Sequence, residues 1–212
     1  MGQALREGEI LKLRCSCEGG YPQPVIRWIK VSSVSREERD VSARLEAGSG
    51  HQGSLSSSEL SLRISASDNG ATYKCSVMNE AVTSALNASV LLSPVYFMSA
   101  DVRISPPDVV QVKSEEGMAT EAVLVCESDE CHPSCNLTWF LNGFAMDRRI
   151  ASTSHASSAS GENGGFKTRS RLQLVKVWSS REHGSTLTCA STNNLLRDKR
   201  ASKNITVQVL CK

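Results

Sequence analysis

The stretch CESDECHPSCNLTWFLNG, residues 126–143, places Cys126, Cys131, His132 and Cys135 within ten positions and runs on to Trp139 and an Asn-Gly pair. Three thiols and an imidazole this close together admit a metal site, a redox motif or part of a disulfide framework. The choice turns on whether Cys126 belongs with its near neighbours or with residues far along the chain.

A chain of 212 residues, 40% of them hydrophobic, suffices for one large domain or two of about a hundred residues each, and two is the expectation. The charge is nearly balanced, 24 Lys and Arg against 22 Asp and Glu. No basic run is present to meet a nucleic acid or a membrane surface, so no nucleic-acid partner is expected. The opening MGQALREGEI lacks the apolar core of a signal peptide, and no apolar stretch reaches the roughly 18 residues that a membrane span needs. If the protein is secreted or membrane-bound, the chain is an excised piece of it. Eight cysteines, an even number, together with N-glycosylation acceptor patterns at Asn87, Asn136 and Asn204, favour the secretory route and an extracellular location.

Outward from the opening stretch, short segments alternate apolar and polar residues at period two. EILKLRC, VIRWIK, LSLRIS, ATYKCSV and LNASVLL come first; EAVLVC, NLTWFLNG, SRLQLVKV, STLTCAS and KNITVQVL follow. Turn-rich stretches such as EGGYPQP and SASDNG separate them, which is the spacing of an antiparallel sandwich. The region from about Asp147 to Gly165, including the serine-rich STSHASSASGENGG, reads as a long solvated loop. Alignment of the halves makes the repeat specific. Trp28 follows Cys15 by thirteen residues, Trp139 follows Cys126 by the same thirteen, and Cys75 and Cys189 lie about sixty residues beyond the first cysteine of each set. DNGATYKC at 68–75 and EHGSTLTC at 182–189 carry an acid and a glycine at matching offsets.

This repeated Cys, Trp, Cys pattern resembles the immunoglobulin superfamily. It implies an all-β chain of two tandem immunoglobulin-like antiparallel sandwiches, 1–94 and 95–212. Tyr73 stands in the place of the tyrosine corner; the second copy has Leu187 there and Glu182 for the acid, so its corner must be held differently. The resemblance implies pairing Cys15 with Cys75 and Cys126 with Cys189, and the thirteen-residue spacing favours Cys15 over its rival Cys17. Closing a loop near sixty residues contributes roughly 4 kcal/mol in the chain-entropy picture.

With Cys126 assigned to a core, Cys131, His132 and Cys135 remain in the following loop. Two thiols and one imidazole fall short of the four ligands of a structural zinc site. A disulfide between Cys131 and Cys135 is the simpler reading, with metal, or bonds to Cys17 or Cys211, as alternatives. The fates of Cys17 and Cys211 stay open. The histidines, His51, His132, His155 and His183, all read as loop or turn residues, and His155 among serines has no oriented third group. Neither an enzymatic role, a cofactor nor a small-molecule substrate is expected.

LREGEILKLRCSCEGGYPQPVIRWIK, with VLVC, LTWFLNG and ASTNN in the second half, is similar to the modules of nephrin-like and Kirre-like adhesion receptors and of Sidestep-type guidance receptors. That resemblance implies a piece of a single-pass ectodomain with flanking immunoglobulin-like domains, binding other cell-surface proteins of the superfamily. A secreted recognition or decoy protein is the other class, and a membrane span downstream would separate the two. In such receptors the sheet of strands C, F and G commonly makes the contact. Period-two alternation turns Arg27, Ile29, Lys74 and Met78 outward there as candidate partner contacts. The same alternation turns Asn87, Asn136 and Asn204 outward on the equivalent sheets, where sugars would obstruct adhesion. This favours inner, spacing modules.

Overall fold

The computed structural model describes residues 4–42, 50–52, 55–106, 108–114, 118–146, 151–159 and 161–211. They form two compact units, the first up to Phe97 together with Glu162–Gly164, the second from Met98 onward without those three residues. The first contains β1 (Leu5–Arg6), β2 (Ile10–Glu18), β3 (Val25–Val31), β4 (Glu38–Asp40), β5 (Gly50–Gln52), β6 (Leu55–Arg63), β7 (Ala71–Met78) and β8 (Leu86–Leu92), and β9 (Val95–Met98) spans the division. One sheet is ordered β2-β6-β5 and the other β4-β3-β7-β8, while β1 runs parallel to β9. The second unit contains β10 (Val102–Ser105), β11 (Val109–Ser114), β12 (Thr120–His132), β13 (Asn136–Leu141), β14 (Phe144–Ala145), β15 (Ala151–Ala159), β16 (Phe166–Lys176), β17 (Thr186–Thr192) and β18 (Arg200–Cys211). There β10-β12-β16-β15 faces β11-β18-β17-β13-β14. Among the described residues no helix is long and apolar enough to cross a membrane.

Alternation builds these sheets. In β6 the side chains of Ser56, Ser58, Leu60 and Leu62 are buried, and in β16 those of Thr168, Ser170, Leu172 and Leu174 are, between exposed Lys167, Arg169, Arg171 and Gln173. The buried serines interrupt otherwise apolar rows, and two of them have a specific partner. Trp28 Nε1 donates to Ser58 Oγ at 3.1 Å, and Trp139 Nε1 donates to Ser170 Oγ at 3.1 Å. In the first unit Cys15 is bonded to Cys75, Cys75 stands opposite Trp28 on the β3–β7 ladder, and Ser58 stands opposite Cys15 on the β2–β6 ladder. A closed ring results, crossing between the sheets once through sulfur and once through a hydrogen bond. The second unit repeats it with Cys126–Cys189, Trp139 opposite Cys189 and Ser170 opposite Cys126.

The turn preceding each second cysteine is held by its acid and glycine. Gly70 and Gly184 both adopt positive φ, +71° and +83°, a conformation that disfavours a Cβ. Asp68 accepts the Ser65 amide at 2.8 Å, the Tyr73 hydroxyl at 2.7 Å and the Lys30 ammonium. Burial pushes the Asp68 pKa up, but the hydrogen bonds from Lys30, Tyr73 and Ser65, with the Lys30 charge, outweigh it and hold the carboxyl below its ordinary value. Glu182 accepts the equivalent amide, of Ser179, at 3.0 Å. Where the tyrosine is absent, Leu187 packs fully buried; Lys176 pairs with Glu182 at 2.6 Å and lies 5.4 Å over the ring of buried Trp178. Both corners thus pair their acid with a lysine that lies over an aromatic ring, Lys30 over Tyr73 and Lys176 over Trp178, and the second lacks only the phenol hydroxyl that donates to the acid.

Three segments differ from expectation. Residues 50–52, with His51 expected in a loop or turn, form β5, paired with β6. β12 continues through Cys131 and His132, so this pair extends a strand, and Cys131 is bonded to Cys135 at its end. Residues 151–159, expected within a loop, form β15, paired with β16 from Ala151 opposite Leu174 to Ala159 opposite Phe166. Eight of its nine residues are exposed. Apolar alternation marks a strand only when one face is buried, and here neither is, so the strand left no periodic signal.

Replacing Ser58 or Ser170 by alanine leaves an indole N–H buried without an acceptor, so each change should destabilise its unit by about 1–3 kcal/mol in urea unfolding; two variants indistinguishable from the parent would show that the bonds contribute nothing. The depressed Asp68 pKa gives a pH dependence of definite sign. Its stabilisation is complete above the unfolded aspartate value of about 3.9 and is lost as pH falls through the lower folded value. Tyr73→Phe should therefore cost roughly 1.5–3 kcal/mol at pH 7, and the gap from the parent should narrow towards pH 2. A pH-independent gap would mean that the carboxylate is not what the phenol stabilises.

Candidate functional site

The outward face of β4-β3-β7-β8 is organised in cross-strand rows. Arg27, Ser76 and Asn87 form one; Asp40, Ile29, Lys74 and Ser89 form the next; Val25 and Met78 stand opposite each other at the end of the sheet. Arg27 is exposed, Met78 is 51% exposed, and Ile29 and Lys74 are half-buried. The charges on this face are largely compensated. Lys74 Nζ donates to Glu38 Oε1 at 2.7 Å. The Ser42 hydroxyl and amide hold the Asp40 carboxyl below its ordinary range, and the Arg27 charge acts in the same direction more weakly.

The apolar content lies at the end of the face, around Met78. Val25 opposite it is 58% exposed, Val82 and Leu86 are 45% and 68% exposed, and Tyr21 in the turn before β3 is 94% exposed. A shallow depression of about 160 Å³ opens there, lined in part by Cys17, Pro24, Val77, Met78, Val82 and Leu86. The sequence carried a signal for Val25, which lies two residues before outward-facing Arg27. Tyr21 and Val82 depend on how two turns fold, for which period-two alternation offers no guide; Leu86, on β8 beside outward Asn87, is turned inward by alternation and is nonetheless exposed at the end of the sandwich.

All three acceptor asparagines are exposed and stand on the sheet that carries this face or its counterpart. Asn87 lies two strands from Arg27, a separation of about 10 Å. In the second unit Asn136 is opposite Thr192 on β17 and Asn204 is opposite Thr188 on β17. Phe140 on β13, opposite Thr188 and so in the same cross-strand row as Asn204, is covered by the Arg200 guanidinium at 5.5 Å. Cys17 is unbonded, half-buried and opposite Ser56; the Cys211 side chain lies outside what the structure describes. His155 is exposed on β15 opposite Ser170, whose hydroxyl accepts the Trp139 indole. Among the described residues no group of three His, Cys, Asp or Glu side chains is arranged to hold a metal ion.

A family model for the CD80-like C2-set immunoglobulin domain matches residues 2–84 and again residues 103–200. The chain belongs to this immunoglobulin family. Its two immunoglobulin sandwiches each carry one of the sulfur, indole and serine rings. Human nephrin is 29% identical over 204 residues, and rat nephrin 27% over the same length. In both cases the alignment covers 95% of this chain and 15% of the relative, so the chain spans about a seventh of the length of the nephrins it matches. Among solved structures, the first two domains of Rst superpose with a TM-score of 0.56 at 18% identity, over 98% of this chain and 95% of that one. The ectodomain of mouse nectin-like molecule 4 superposes at 0.51 and 14% identity, over 98% of this chain and 66% of that one. At these identities the superpositions speak to the immunoglobulin fold alone.

The unbonded thiol is directly testable. Maleimide applied to the native, unreduced immunoglobulin chain should label Cys17 and leave Cys15 unlabelled; label on Cys15, with Cys17 bonded to Cys75, would reverse the assignment on β2.

Proposed function

We propose that the chain, as two immunoglobulin domains at 1–94 and 95–212, is an extracellular segment of a multi-domain receptor for cell adhesion or recognition. In this reading it meets other cell-surface proteins of the superfamily and has flanking immunoglobulin domains in the whole protein. It serves there as a pair of spacing modules. The observation that carries the reading is the position of the acceptor asparagines: Asn87, Asn136 and Asn204 are all exposed on the sheets homologous to one another that would otherwise offer the contact. A glycan is bulky and strongly hydrated, so an occupied acceptor keeps a protein surface from closing on that face. The similarity to the nephrins supports the receptor class.

One observation favours a second reading, in which the first domain is itself the contact. The exposed pair Val25 and Met78, rimmed by Arg27 and Lys74, has the apolar centre and charged edge of a small interface. Binding of a partner by the complete ectodomain separates the two. Spacing modules require that Asn87→Gln, Asn136→Gln and Asn204→Gln together leave the affinity within about twofold, and that Ile29→Asp or Met78→Asp do the same. A loss of more than about tenfold from Met78→Asp, with unaltered thermal unfolding, would sink the spacing role and put the contact on the first domain.

A further inference from the structure

The serine-rich strand β15 goes beyond this functional reading. It is the last strand of its sheet, paired with β16 on one side and with no strand on the other among the described residues. Its ladder with β16 runs without a register shift through all nine residues. Native sheets protect such edges with charge, proline, a bulge or extreme shortness. β15 has no Asp, Glu, Lys or Arg, no proline and no bulge, and both of its faces are exposed from Ser152 to Ala159. None of the three acceptor asparagines lies in its sheet.

We propose that β15 pairs with β15 of a second copy of this chain, antiparallel, about a two-fold axis through His155. The strand is close to palindromic in side-chain class. His155 is its central residue, with Ser154 and Ala156, Thr153 and Ser157, and Ala151 and Ala159 at equal distances on either side. An isologous contact needs this self-complementarity, since each residue meets its mirror position on the copy. Small hydroxyl and methyl side chains then face one another, pairs that stabilise antiparallel ladders. The neighbouring cations do not oppose the union. Arg169 is paired with Glu127 at 3.4 Å and Lys167 with Asp129 at 3.6 Å. The two β16 strands of the joined sheet would also lie three strand spacings apart, about 14 Å, beyond the roughly 8 Å screening length at physiological salt. The contact adds one ladder and little buried area, so the dimer is weak and reversible.

Sedimentation equilibrium of the full, glycosylated chain over a concentration series tests this, with two variants at positions on the same outward face as Arg169 and Arg171. Ser154→Glu with Ala156→Glu sets glutamate 154 against glutamate 156 of the copy, twice per dimer, while leaving the monomer favourably placed beside two arginines. It should weaken dimerisation by about tenfold or more. Ser154→Glu with Ala156→Lys sets opposite charges against each other in the same register and should return the dimer to within about threefold of the parent. A parent that stays monomeric up to about 1 mM overturns the proposal. So does a double glutamate variant that associates as well as the parent, and a glutamate–lysine variant as weak as the double glutamate locates any dimer elsewhere or in another register.

Discussion

Both units depend on one constraint, that the two sheets of each sandwich are joined at a single level by sulfur on one side of the tryptophan and by the indole hydrogen bond on the other. Cys15, Cys75, Trp28 and Ser58 form the ring in one unit, and Cys126, Cys189, Trp139 and Ser170 form it in the other. A sandwich of about a hundred residues has a thin core and little apolar area to spare. Placing the largest core side chain, its polar atom and the covalent link together means that the strand carrying any one of them is registered by the other three. The alternation of every strand follows from that level outward, and so does the direction in which each surface residue points.

The fold class and the centre of each core could be read from the sequence because they rest on this pattern. Three members of each ring, a cysteine, a tryptophan and a second cysteine at fixed spacing, announce it, and period two around Trp28 and Cys75 gives the orientations of Arg27, Ile29 and Lys74. Ser58 and Ser170 were not legible, since a serine in a strand looks the same whether it faces water or accepts an indole proton. Nor was β15. Its two exposed faces remove the hydrophobic alternation by which a strand is recognised, leaving only composition, which serine-rich loops share. The second corner was legible as a missing tyrosine and not in how it is held, because Lys176 reaches Glu182 from the end of β16 and lies over the Trp178 ring, a neighbourhood set by tertiary packing.

The candidate surfaces divide by sheet. The sheets built on β3, β7 and β8, and on β13, β17 and β18, carry every glycan acceptor, compensated charge and, in the first unit, an apolar end. The sheet ending in β15 carries no acceptor asparagine, and its last strand presents backbone groups and small polar side chains. Acceptor asparagines on one sheet and a bare edge on the other give the second unit two chemically distinct flanks.

The parallel pairing of β11 with β18, from Val109 opposite Thr206 to Ser114 opposite Cys211, also sets how the second unit would respond to mechanical tension. Force drawn along the chain through these two strands pulls them past each other lengthwise, so their hydrogen bonds are loaded together as in a lap joint instead of opening singly like a zipper. If that joint yields, the Cys126–Cys189 bond keeps the 63-residue separation it closes from paying out, withholding about 210 Å of extended chain. Such a unit would lengthen in a short, bounded step and keep its sulfur-linked centre from which to refold.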